Sequence, residues 1–386
     1  MEENKKFVYG QYFTKKEVVE KLLKLIEKFK DYPKNISILE PSFGTGNFID
    51  RLKYFEFMNI EGCELDEELT DNPMDFFEYD IDKKYDLIVG NPPFTKYNLP
   101  SSYYHKEKYL NSKIHPNKYI KSNTIGTKKE KIENIFILKS LEHLKDENST
   151  IGFVLPISFF IGNKNKEIKN EIKKKFSTII IFQDTKKWFD YDIPCCFAIF
   201  SNISGLNGKI INIYENEEIH QTVLDIDKLH EELIPEVIFN KKNNLNNEEG
   251  VELKEYFQEG RIKYNKSFKD NNISAKNILE KYKIPQNKNI DDYYLAVVRV
   301  GNSSVGKSGL INIKEDVLND MFYLFKFKDK FNSKDIKEKV CKIINENQDY
   351  FKNVTCRVGS KSIKRRDVHE FKISLWIIII IYMGVN

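Results

Sequence analysis

The first half of the chain alternates between helical and strand-like patterns of apolar residues. Residues 14–30 have apolar side chains at a helical spacing, which predicts an amphipathic helix that faces a core. Thr14, with Glu17 three residues later, predicts a capping box at the start of this helix. Short runs rich in β-branched residues follow and predict strands. These predicted strands cover residues 36–40, 60–65, 76–80 and 85–91.

The same alternation continues further along the chain. Helical patterns cover residues 47–55, 131–144 and 165–176, and strand-like patterns cover residues 149–156, 177–183 and 195–202. Strands that alternate with helices predict βαβ units, so we expect an α/β fold with a Rossmann-like, doubly wound and mostly parallel sheet. Sheets of this kind bind ligands beyond the carboxyl ends of their strands. The polar residues that end the predicted strands are Glu40, Glu64, Asp80 and Asn91.

Length and composition predict two domains. A chain of 386 residues exceeds the usual size of one domain. From about residue 202 the composition changes to Asn, Glu and short apolar pieces, and a strand-like region with interleaved aromatic and basic residues follows. We therefore predict a first, catalytic domain over residues 1–215, a linker region over 216–250, and a mixed α+β domain over 251–386. The formal net charge is only +4, so charge alone does not identify a nucleic-acid partner.

The cysteine pattern and the hydropathy of the chain indicate its redox compartment and whether it binds a metal or a membrane. The five cysteines have no zinc-ligand spacing, so we predict no metal site and a reducing, cytoplasmic location. The polar start, MEENKKFVYG, is unlike a signal peptide. The longest apolar run, SLWIIIIIYMGV, is shorter than the roughly 18 residues of a membrane-spanning helix, so we expect no membrane association.

The stretch ILEPSFGTGNF joins the first predicted strand to a helix through a glycine-rich turn. Gly44 and Gly46 permit positive φ and a close approach of the backbone to a ligand. The spacing is not GxGxxG, and an acid, Glu40, opens the turn, so a cationic ligand is favoured over a pyrophosphate. Glu64 can hold a ribose diol, and Asp80 can accept a hydrogen bond from an adenine amino group. One such acid alone would more often be a solubilising residue, but together they predict a cationic nucleoside, S-adenosyl-L-methionine.

The stretch DLIVGNPPF ends a buried strand on an asparagine and two prolines. An amino group on a base is a poor nucleophile because its lone pair is delocalised into the ring. The side-chain oxygen of Asn91 and the carbonyl of Pro92 can accept hydrogen bonds from both N–H bonds and free this lone pair. Pro92 and Pro93 fix the backbone, so these acceptors are preorganised. Phe94 offers a face on which a flipped-out base can stack.

These motifs resemble those of the gamma-class N6-adenine DNA methyltransferases of restriction–modification systems. The similarity covers about residues 9–202. GQYFT is similar to motif X, LEPSFGTGNF to motif I and NPPF to motif IV, and the order of motifs X and I defines the class. Glu64 and Asp80 correspond to motifs II and III. Phe94 departs from the tyrosine of many relatives, a change that preserves stacking and removes a hydroxyl.

The resemblance implies roles for further residues. It places Thr14 near the methionine carboxylate of the cofactor, and it places Phe136 near the cofactor adenine. Phe189, in a stretch similar to motif VIII, would cover the second face of the flipped adenine. The other cofactor-contacting positions that the resemblance implies are Tyr12, Pro41 and Ile81.

The second predicted domain resembles a target-recognition domain, which implies double-stranded DNA as the partner. Residues 301–308, GNSSVGKS, satisfy a phosphate-binding P-loop pattern, but GLINI follows where a P-loop must open a long helix. We expect instead a loop that presents Arg299 and Lys307 to DNA.

The predicted activity is methyl transfer from S-adenosyl-L-methionine to N6 of a flipped-out adenine at a specific site in duplex DNA. Two alternatives remain. A methyltransferase that acts on RNA guanine N2 or on protein glutamine shares the Asn-Pro-Pro chemistry, and a catalytically weak relative would only bind DNA. We also expect a monomer, and the resemblance implies a cognate restriction endonuclease as a possible partner.

Overall fold

The chain folds into two compact units, Met1–Glu236 and Val237–Asn386. The computed structural model describes residues 10–94, 96–98, 129–162, 165–244, 250–260, 262, 273–355 and 360–374. Each unit contains its own cluster of buried apolar side chains.

The described part of the first unit, up to its boundary, contains four helices. They are α1 (Lys16–Phe29), α2 (Asn47–Tyr54), α3 (Ile132–Glu142) and α4 (Lys166–Lys175). Helix α1 is amphipathic, as its spacing predicts, and its buried face includes Val19, Leu22 and Ile26. These side chains belong to the same apolar cluster as Ile38 and Phe197 in the sheet, so the core lies between helix and sheet.

The described strands of the first unit form one large sheet and one short pair. The strands are β1 (Ser37–Glu40), β2 (Asn59–Gly62), β3 (Leu87–Gly90), β4 (Lys96–Asn98), β5 (Lys129–Lys131), β6 (Thr150–Pro156), β7 (Thr178–Asp184), β8 (Cys195–Ser201), β9 (Lys209–Glu215) and β10 (Ile219–Asp225). The eight-stranded sheet has the order β10-β9-β7-β8-β6-β3-β1-β2, and β4 pairs with β5.

Most strands of this sheet run in one direction. β1 pairs in parallel with β2 and β3, β3 with β6, and β7 with β9. β8 and β10 run against their neighbours. A parallel pair needs a crossover, and helices α2, α3 and α4 lie between successive parallel strands in the chain. The predicted Rossmann-like, mostly parallel α/β sheet is confirmed.

Helix α1 begins later than expected and lacks the predicted capping box. Lys15 is the N-cap residue, and no side chain accepts a hydrogen bond there. The backbone before α1 is held by other contacts, since Lys15 N donates to the Trp188 carbonyl and Asn47 Nδ2 donates to the Thr14 carbonyl. These contacts leave the Thr14 hydroxyl away from the helix terminus.

The strand predicted over residues 76–80 does not form. The structure has a single turn of 3₁₀ helix, Phe76–Glu78, at this place. Asp75 caps it, because its Oδ1 accepts from Phe77 N at 2.9 Å. β2 is the last strand at this side of the sheet, so the turn lies outside the ladder.

The region predicted as a linker contains sheet. β10 pairs with β9 along its whole length, and the first unit continues to Glu236. Side chains along β10 alternate between exposed and half-buried, so this edge strand gives no hydrophobic signal. Helix α5 (Pro235–Asn244) begins at the boundary between the units.

The second unit is mixed α+β. Its strands are β11 (Gly250–Glu252), β12 (Tyr293–Val298), β13 (Ser308–Asn312), β14 (Phe322–Phe325) and β15 (Lys372–Ser374), and its further helices are α6 (Lys334–Glu346), α7 (Gln348–Asn353) and α8 (Arg365–His369). β13, β12 and β14 form an antiparallel sheet, and β11 pairs with β15. Strand β13 begins at Ser308, the last residue of GNSSVGKS, so this stretch leads into a strand and does not open a helix as a P-loop does.

Across the described ranges of the chain, none of the helices combines the length and the apolar character that a membrane crossing requires.

The centre of the sheet in the first unit is buried, so we expect truncations of its side chains to lower stability. Ile180 of β7 is fully buried and pairs with both Ile199 and Ile211. We predict that Ile180→Ala lowers the free energy of unfolding by about 2–5 kcal/mol, through lost burial and a residual cavity. Val223→Ala on the exposed face of β10 is the control, for which we expect a change within about 0.5 kcal/mol. Urea denaturation measures both, and equal effects would contradict this placement of the core.

Candidate active site

Three neighbouring strands of the first unit bring their carboxyl ends to one edge. β1 ends on Glu40, and Asn91 follows directly after β3. The Cys63 N–H donates to the Glu40 carbonyl at 2.9 Å, which extends the pairing of β1 and β2 up to Glu64. Since β1 is parallel to both neighbours, Glu40, Glu64 and Asn91 lie at the same edge.

Residues 10–15 cross this edge, and we call them the N-terminal strap. Their contacts reach several segments that are distant in sequence. The Gly10 carbonyl accepts from Phe94 N (3.0 Å), Gln11 Nε2 donates to Asp66 Oδ2 (2.9 Å), the Tyr12 carbonyl accepts from Asn91 Nδ2, the Thr14 carbonyl accepts from Asn47 Nδ2 (2.8 Å), and Lys15 N donates to the Trp188 carbonyl (3.0 Å). The strap therefore ties together the loops that follow β1, β2, β3 and β7.

The glycine turn after β1 adopts the conformations that its sequence predicts. Gly44 has φ +54°, and a Cβ there would lie 2.8 Å from the Phe13 ring of the strap. Gly46 has φ +78° and stands immediately before helix α2. Both positions favour glycine, and Gly44 in particular lets the strap approach the turn closely.

Strap, turn and strand ends enclose a cavity of about 360 Å³, a size that suits a small ligand. Nine of the residues named from the sequence line it, namely Tyr12, Thr14, Glu40, Pro41, Gly44, Glu64, Asn91, Pro93 and Phe136. Gly46, Asp80, Ile81, Pro92, Phe94 and Phe189 are not among its lining residues. The cavity therefore lies where the sequence predicts a ligand site, but some of its lining residues, such as Asp75, Phe76 and Phe77, were not predicted.

The Glu64 carboxylate is fixed by three backbone donors. Gly44 N donates to Oε2 at 2.7 Å, and Leu65 N and Asp66 N donate to Oε1 at 3.0 and 2.9 Å. Charge-assisted bonds of this kind orient a carboxylate strongly. Glu64 therefore holds the glycine turn in place, and its oxygens keep lone pairs for hydroxyl groups of a ligand.

Three buried polar atoms of the cavity residues lack a partner within the described part of the chain. They are Thr14 Oγ1, Glu40 Oε2 and Asn91 Oδ1. Leaving such an atom unpaired is unfavourable, so each one indicates a group that a ligand supplies. A hydroxyl, a carboxylate and an amide oxygen suit a carboxylate, a cation and an N–H donor respectively.

Of these three residues, Glu40 is the one with an ionisable side chain, and its pKa is strongly shifted. Burial raises the pKa of the Glu40 carboxyl well above its ordinary value, and the nearby charges of Glu64 and Asp50 act in the same direction. A hydrogen bond from the backbone of Ile49 only partly opposes these effects. A cation placed beside Glu40 would favour its ionised form again, which agrees with the cationic ligand inferred from the sequence.

The side chain of Asn91 has a defined orientation. Its Nδ2 donates to the Tyr12 carbonyl of the strap. A backbone carbonyl can only accept, so the amide oxygen must point the other way, as an unused acceptor. The Ser42 hydroxyl donates to the Asn91 carbonyl at 3.2 Å and further fixes this residue beside the glycine turn.

The acid on the far wall of the cavity is Asp75, where the sequence analysis named Asp80. Asp75 lines the cavity together with Phe76 and Phe77, whose rings lie 5.0 and 5.2 Å from the ring of Phe136. Asp80 is exposed and accepts a hydrogen bond from Asp82 N. Because residues 76–80 form a turn and not a strand, the acid before the turn faces the cavity. Asp is a favoured residue at the start of a helical turn, so Asp75 was the sequence signal for a turn at this place.

Aromatic rings cluster beside Asn91. The ring of Tyr12 lies 6.1 Å from that of Phe94 and 6.2 Å from that of Phe189. The ring of Tyr191, which the sequence analysis did not single out, lies 6.2 Å from that of Tyr12. The rings of Phe94 and Phe189 lie 6.0 Å apart and are inclined at 83°.

The two basic residues named for the second domain lie in the second unit. Arg299 Nε donates to the Asp320 carbonyl at 2.6 Å, and its guanidinium lies 3.7 Å from the Asp320 carboxylate. Lys307 closes the turn before β13, because Lys307 N donates to the Ser304 carbonyl. Both side chains are at least partly accessible, so neither is buried in the core.

The mostly parallel sheet and this cavity agree with a Rossmann-like fold that binds S-adenosyl-L-methionine at the carboxyl edge of its strands. Residues 11–189 match the model of the Eco57I restriction-modification methylase family. The predicted resemblance to restriction–modification DNA methyltransferases is thereby confirmed for this part of the chain, and with it the predicted cofactor.

Similar proteins come from bacteria and from viruses. The chain is 32% identical over 222 residues to the Type II methyltransferase M.HincII of Haemophilus influenzae, covering 55% of this chain and 41% of the relative. It is 30% identical over 223 residues to the modification methylase CviBIII of Paramecium bursaria Chlorella virus NC1A, covering 53% and 52%. The chain thus spans about half or less of the length of these relatives.

A solved structure also matches this chain, at low sequence identity. A Type IIL restriction-modification enzyme, MmeI in complex with DNA, matches with a TM-score of 0.45 and 12% identity over 92% of this chain and 64% of the other.

The buried acid gives a prediction about stability. A folded-state pKa raised above the unfolded value means that stability is present at acid pH and is lost as the pH rises through the folded pKa. We therefore expect Glu40→Gln to raise the melting temperature of the ligand-free first unit at pH 8 more than at pH 5, because Gln keeps the acceptor and removes the charge. Thermal denaturation followed by circular dichroism measures the difference.

Glu64→Gln is the matched control in the same cavity. Its carboxylate already receives three backbone N–H groups, so the substitution removes hydrogen bonds and should lower the melting temperature at both pH values. Equal behaviour of the two variants would contradict the assignment of Glu40 as the strained acid.

Proposed function

We propose that this protein methylates N6 of adenine at a specific site in duplex DNA, as part of a restriction–modification system. The observation that carries the proposal is the unpartnered side-chain oxygen of Asn91. The Asn91 amide donates to the Tyr12 carbonyl of the strap, so this oxygen points away from that carbonyl. Two other buried cavity atoms, Thr14 Oγ1 and Glu40 Oε2, also lack a partner among the described residues. An acceptor held in this way beside a cationic cofactor is what an aromatic amine needs in order to act as a nucleophile.

The cavity residues divide between the parts of the cofactor. Glu40 would hold the ammonium group of the methionine portion, and the Thr14 hydroxyl would donate to its carboxylate. Glu64 would accept from the ribose hydroxyls. Asp75 takes the role first given to Asp80, as acceptor for the adenine amino group, and Phe136 would contact the adenine ring. When bound, S-adenosyl-L-methionine supplies an electrophilic methyl group on a sulfonium.

The chain supplies the activation of the nucleophile. Asn91 Oδ1 would accept one N–H of the target amino group, and the Pro92 carbonyl would accept the other. These bonds draw the nitrogen lone pair out of conjugation and hold it in line for attack. The proline pair keeps both acceptors fixed, so little reorganisation is needed during the reaction.

The target base must leave the duplex to reach these acceptors. Phe94, whose backbone N–H is fixed by the strap, would stack on one face of the base. The second unit, with Arg299 and Lys307, would contact the DNA and contribute to site choice. Several relatives are Type II methyltransferases by name, and this supports a cognate restriction endonuclease and a DNA substrate for this chain.

Substitution of Asn91 tests the mechanism. We expect Asn91→Ala to lower methyl transfer at least about 100-fold, because one preorganised acceptor is lost, while cofactor affinity persists. Asn91→Asp keeps an acceptor oxygen and should retain more activity than Asn91→Ala. The assay is transfer of labelled methyl groups to unmodified plasmid DNA, followed by digestion to nucleosides. An active Asn91→Ala variant, or label in guanine or in protein, would contradict the proposal.

Substitution of Arg299 and Lys307 tests whether the second unit binds DNA. We expect Arg299→Ala and Lys307→Ala each to weaken DNA binding and to reduce the slope of log affinity against log salt concentration by about one. Fluorescence anisotropy with a duplex that carries the mapped site measures both quantities. Lys276→Ala, another exposed lysine of this unit, is the control. Unchanged affinity and slope would remove residues 299 and 307 from the DNA interface.

A further inference from the structure

Asp66 connects the segment that follows strand β2 to the strap. It lies two residues after Glu64 and is buried, with 6% of its surface exposed. Its backbone N–H donates to Glu64 Oε1 at 2.9 Å, and its carboxylate Oδ2 accepts from Gln11 Nε2 at 2.9 Å. The second carboxylate oxygen, Oδ1, accepts from Glu68 N at 3.1 Å. Both oxygens of Asp66 therefore have donors, which hold the carboxylate in place for Gln11.

The bond from Gln11 to Asp66 fixes the strap to a segment other than the one that carries Asn91. Two other strap contacts, made by the carbonyls of Gly10 and Tyr12, go to residues that directly follow β3. These two bonds join the strap to the Asn91 segment, so they cannot by themselves set the place of both relative to the cavity. Gln11 directly precedes Tyr12 and reaches across to the segment after β2, which supplies this reference.

The glycine turn fixes the other side of Tyr12. Phe13 follows Tyr12, and its ring packs on Gly44 so closely that a Cβ there would lie 2.8 Å from it. The Gly44 N–H donates to Glu64 Oε2 at 2.7 Å, so the carboxylate that receives Asp66 N also holds the turn. The contacts on both sides of Tyr12 therefore meet at Glu64.

The strap residue proposed to contact the cofactor carboxylate, Thr14, is held separately. Its carbonyl accepts from Asn47 Nδ2 at 2.8 Å, a bond that does not involve Asp66. Asp66 is also not among the residues that line the cavity. Loss of the Asp66 side chain would therefore loosen the strap at Gln11 and Tyr12 while Thr14 keeps its place.

We propose that Asp66 is a positioning residue for Asn91, and that it acts through Gln11 and the Tyr12 carbonyl. This inference rests on the proposed function, because it concerns how Asn91 Oδ1 is placed beside the target amino group. Asp66 holds Gln11, Gln11 fixes the neighbouring Tyr12, and the Tyr12 carbonyl selects the orientation of the amide. Without this tether the amide is free to turn, and an NH₂ group in place of Oδ1 cannot accept an N–H.

The test measures the rate of a single methyl transfer to unmodified plasmid DNA with variants of the full chain. Gln11→Met keeps the length of the side chain and removes the donor, whereas Asp66→Ala removes the acceptor. We expect each to lower the rate about 10- to 100-fold, because misplacing a reacting group by about 1 Å has an effect as large as this. Affinity for S-adenosyl-L-methionine without DNA should stay at the wild-type value, since Thr14 keeps its own anchor.

Two further comparisons separate a positioning role from a merely structural one. Asp66→Asn keeps a hydrogen bond to Gln11, whose amide can turn to accept it, so this variant should retain most of the activity. In an Asn91→Asp background, residue 91 has no side-chain N–H to donate to the Tyr12 carbonyl. Adding Gln11→Met to this background should therefore lower the rate no further.

Asp86→Ala is the matched control. Asp86 also holds a neighbouring segment, since its Oδ2 accepts from Ser37 N and Ser37 Oγ at 2.9 and 2.8 Å. These residues lie at the start of β3 and of β1, at the edge of the sheet opposite the cavity. We expect this variant to lower the melting temperature and to leave the rate of methyl transfer unchanged.

An active wild type whose rate is matched by Gln11→Met and Asp66→Ala would overturn the inference and leave the proposed function intact. So would an equal loss from Gln11→Met in the Asn91→Asp background, or a loss of cofactor affinity in proportion to the rate. If Asp66→Ala does not fold, Gln11→Met alone decides. A wild type without any methyl transfer would overturn the proposed function itself, and this inference with it.

Discussion

The hydrogen bond from the Asn91 amide to the Tyr12 carbonyl is the contact on which the site depends. It selects one of the two orientations of the amide and leaves an oxygen, not an NH₂ group, as the free acceptor. The carbonyl is available only because residues 10–15 cross the carboxyl edge of the sheet, and they do so because Asn47, Asp66, Phe94 and Trp188 hold them there. The orientation of Asn91 thus depends on the strap as much as on strand β3.

The cavity is built at the expense of stability. Glu40 is buried beside a second carboxylate, and Thr14 and Asn91 keep polar atoms unpaired among the described residues. Glu64, by contrast, is satisfied through three backbone N–H groups, and these bonds also fix the glycine turn. A ligand with a cation and a carboxylate would relieve this strain, which links cofactor binding to the stability of the first unit.

The match to a known family covers most of the first unit and none of the second. The family match ends at residue 189, inside the first unit. The second unit has its own core and an antiparallel sheet, and residues 301–308 form a turn into β13. Its basic residues are partly engaged with acidic neighbours, as Arg299 is with Asp320. The surfaces of the second unit are therefore ones that the family match does not describe.

The sequence by itself determined the mostly parallel sheet, the glycine turn, Glu40, Glu64 and the Asn-Pro-Pro corner, because hydrophobic periodicity and backbone chemistry are local. Only the tertiary structure decided between Asp75 and Asp80, since the answer depended on whether residues 76–80 pair with the sheet or turn beside it. The same holds for β10, an edge strand without a hydrophobic pattern, and for Thr14, whose hydroxyl joined the cavity and not the helix cap. Phe189 and Tyr191 look alike in the sequence, and burial, which is a property of the whole fold, is what distinguishes them.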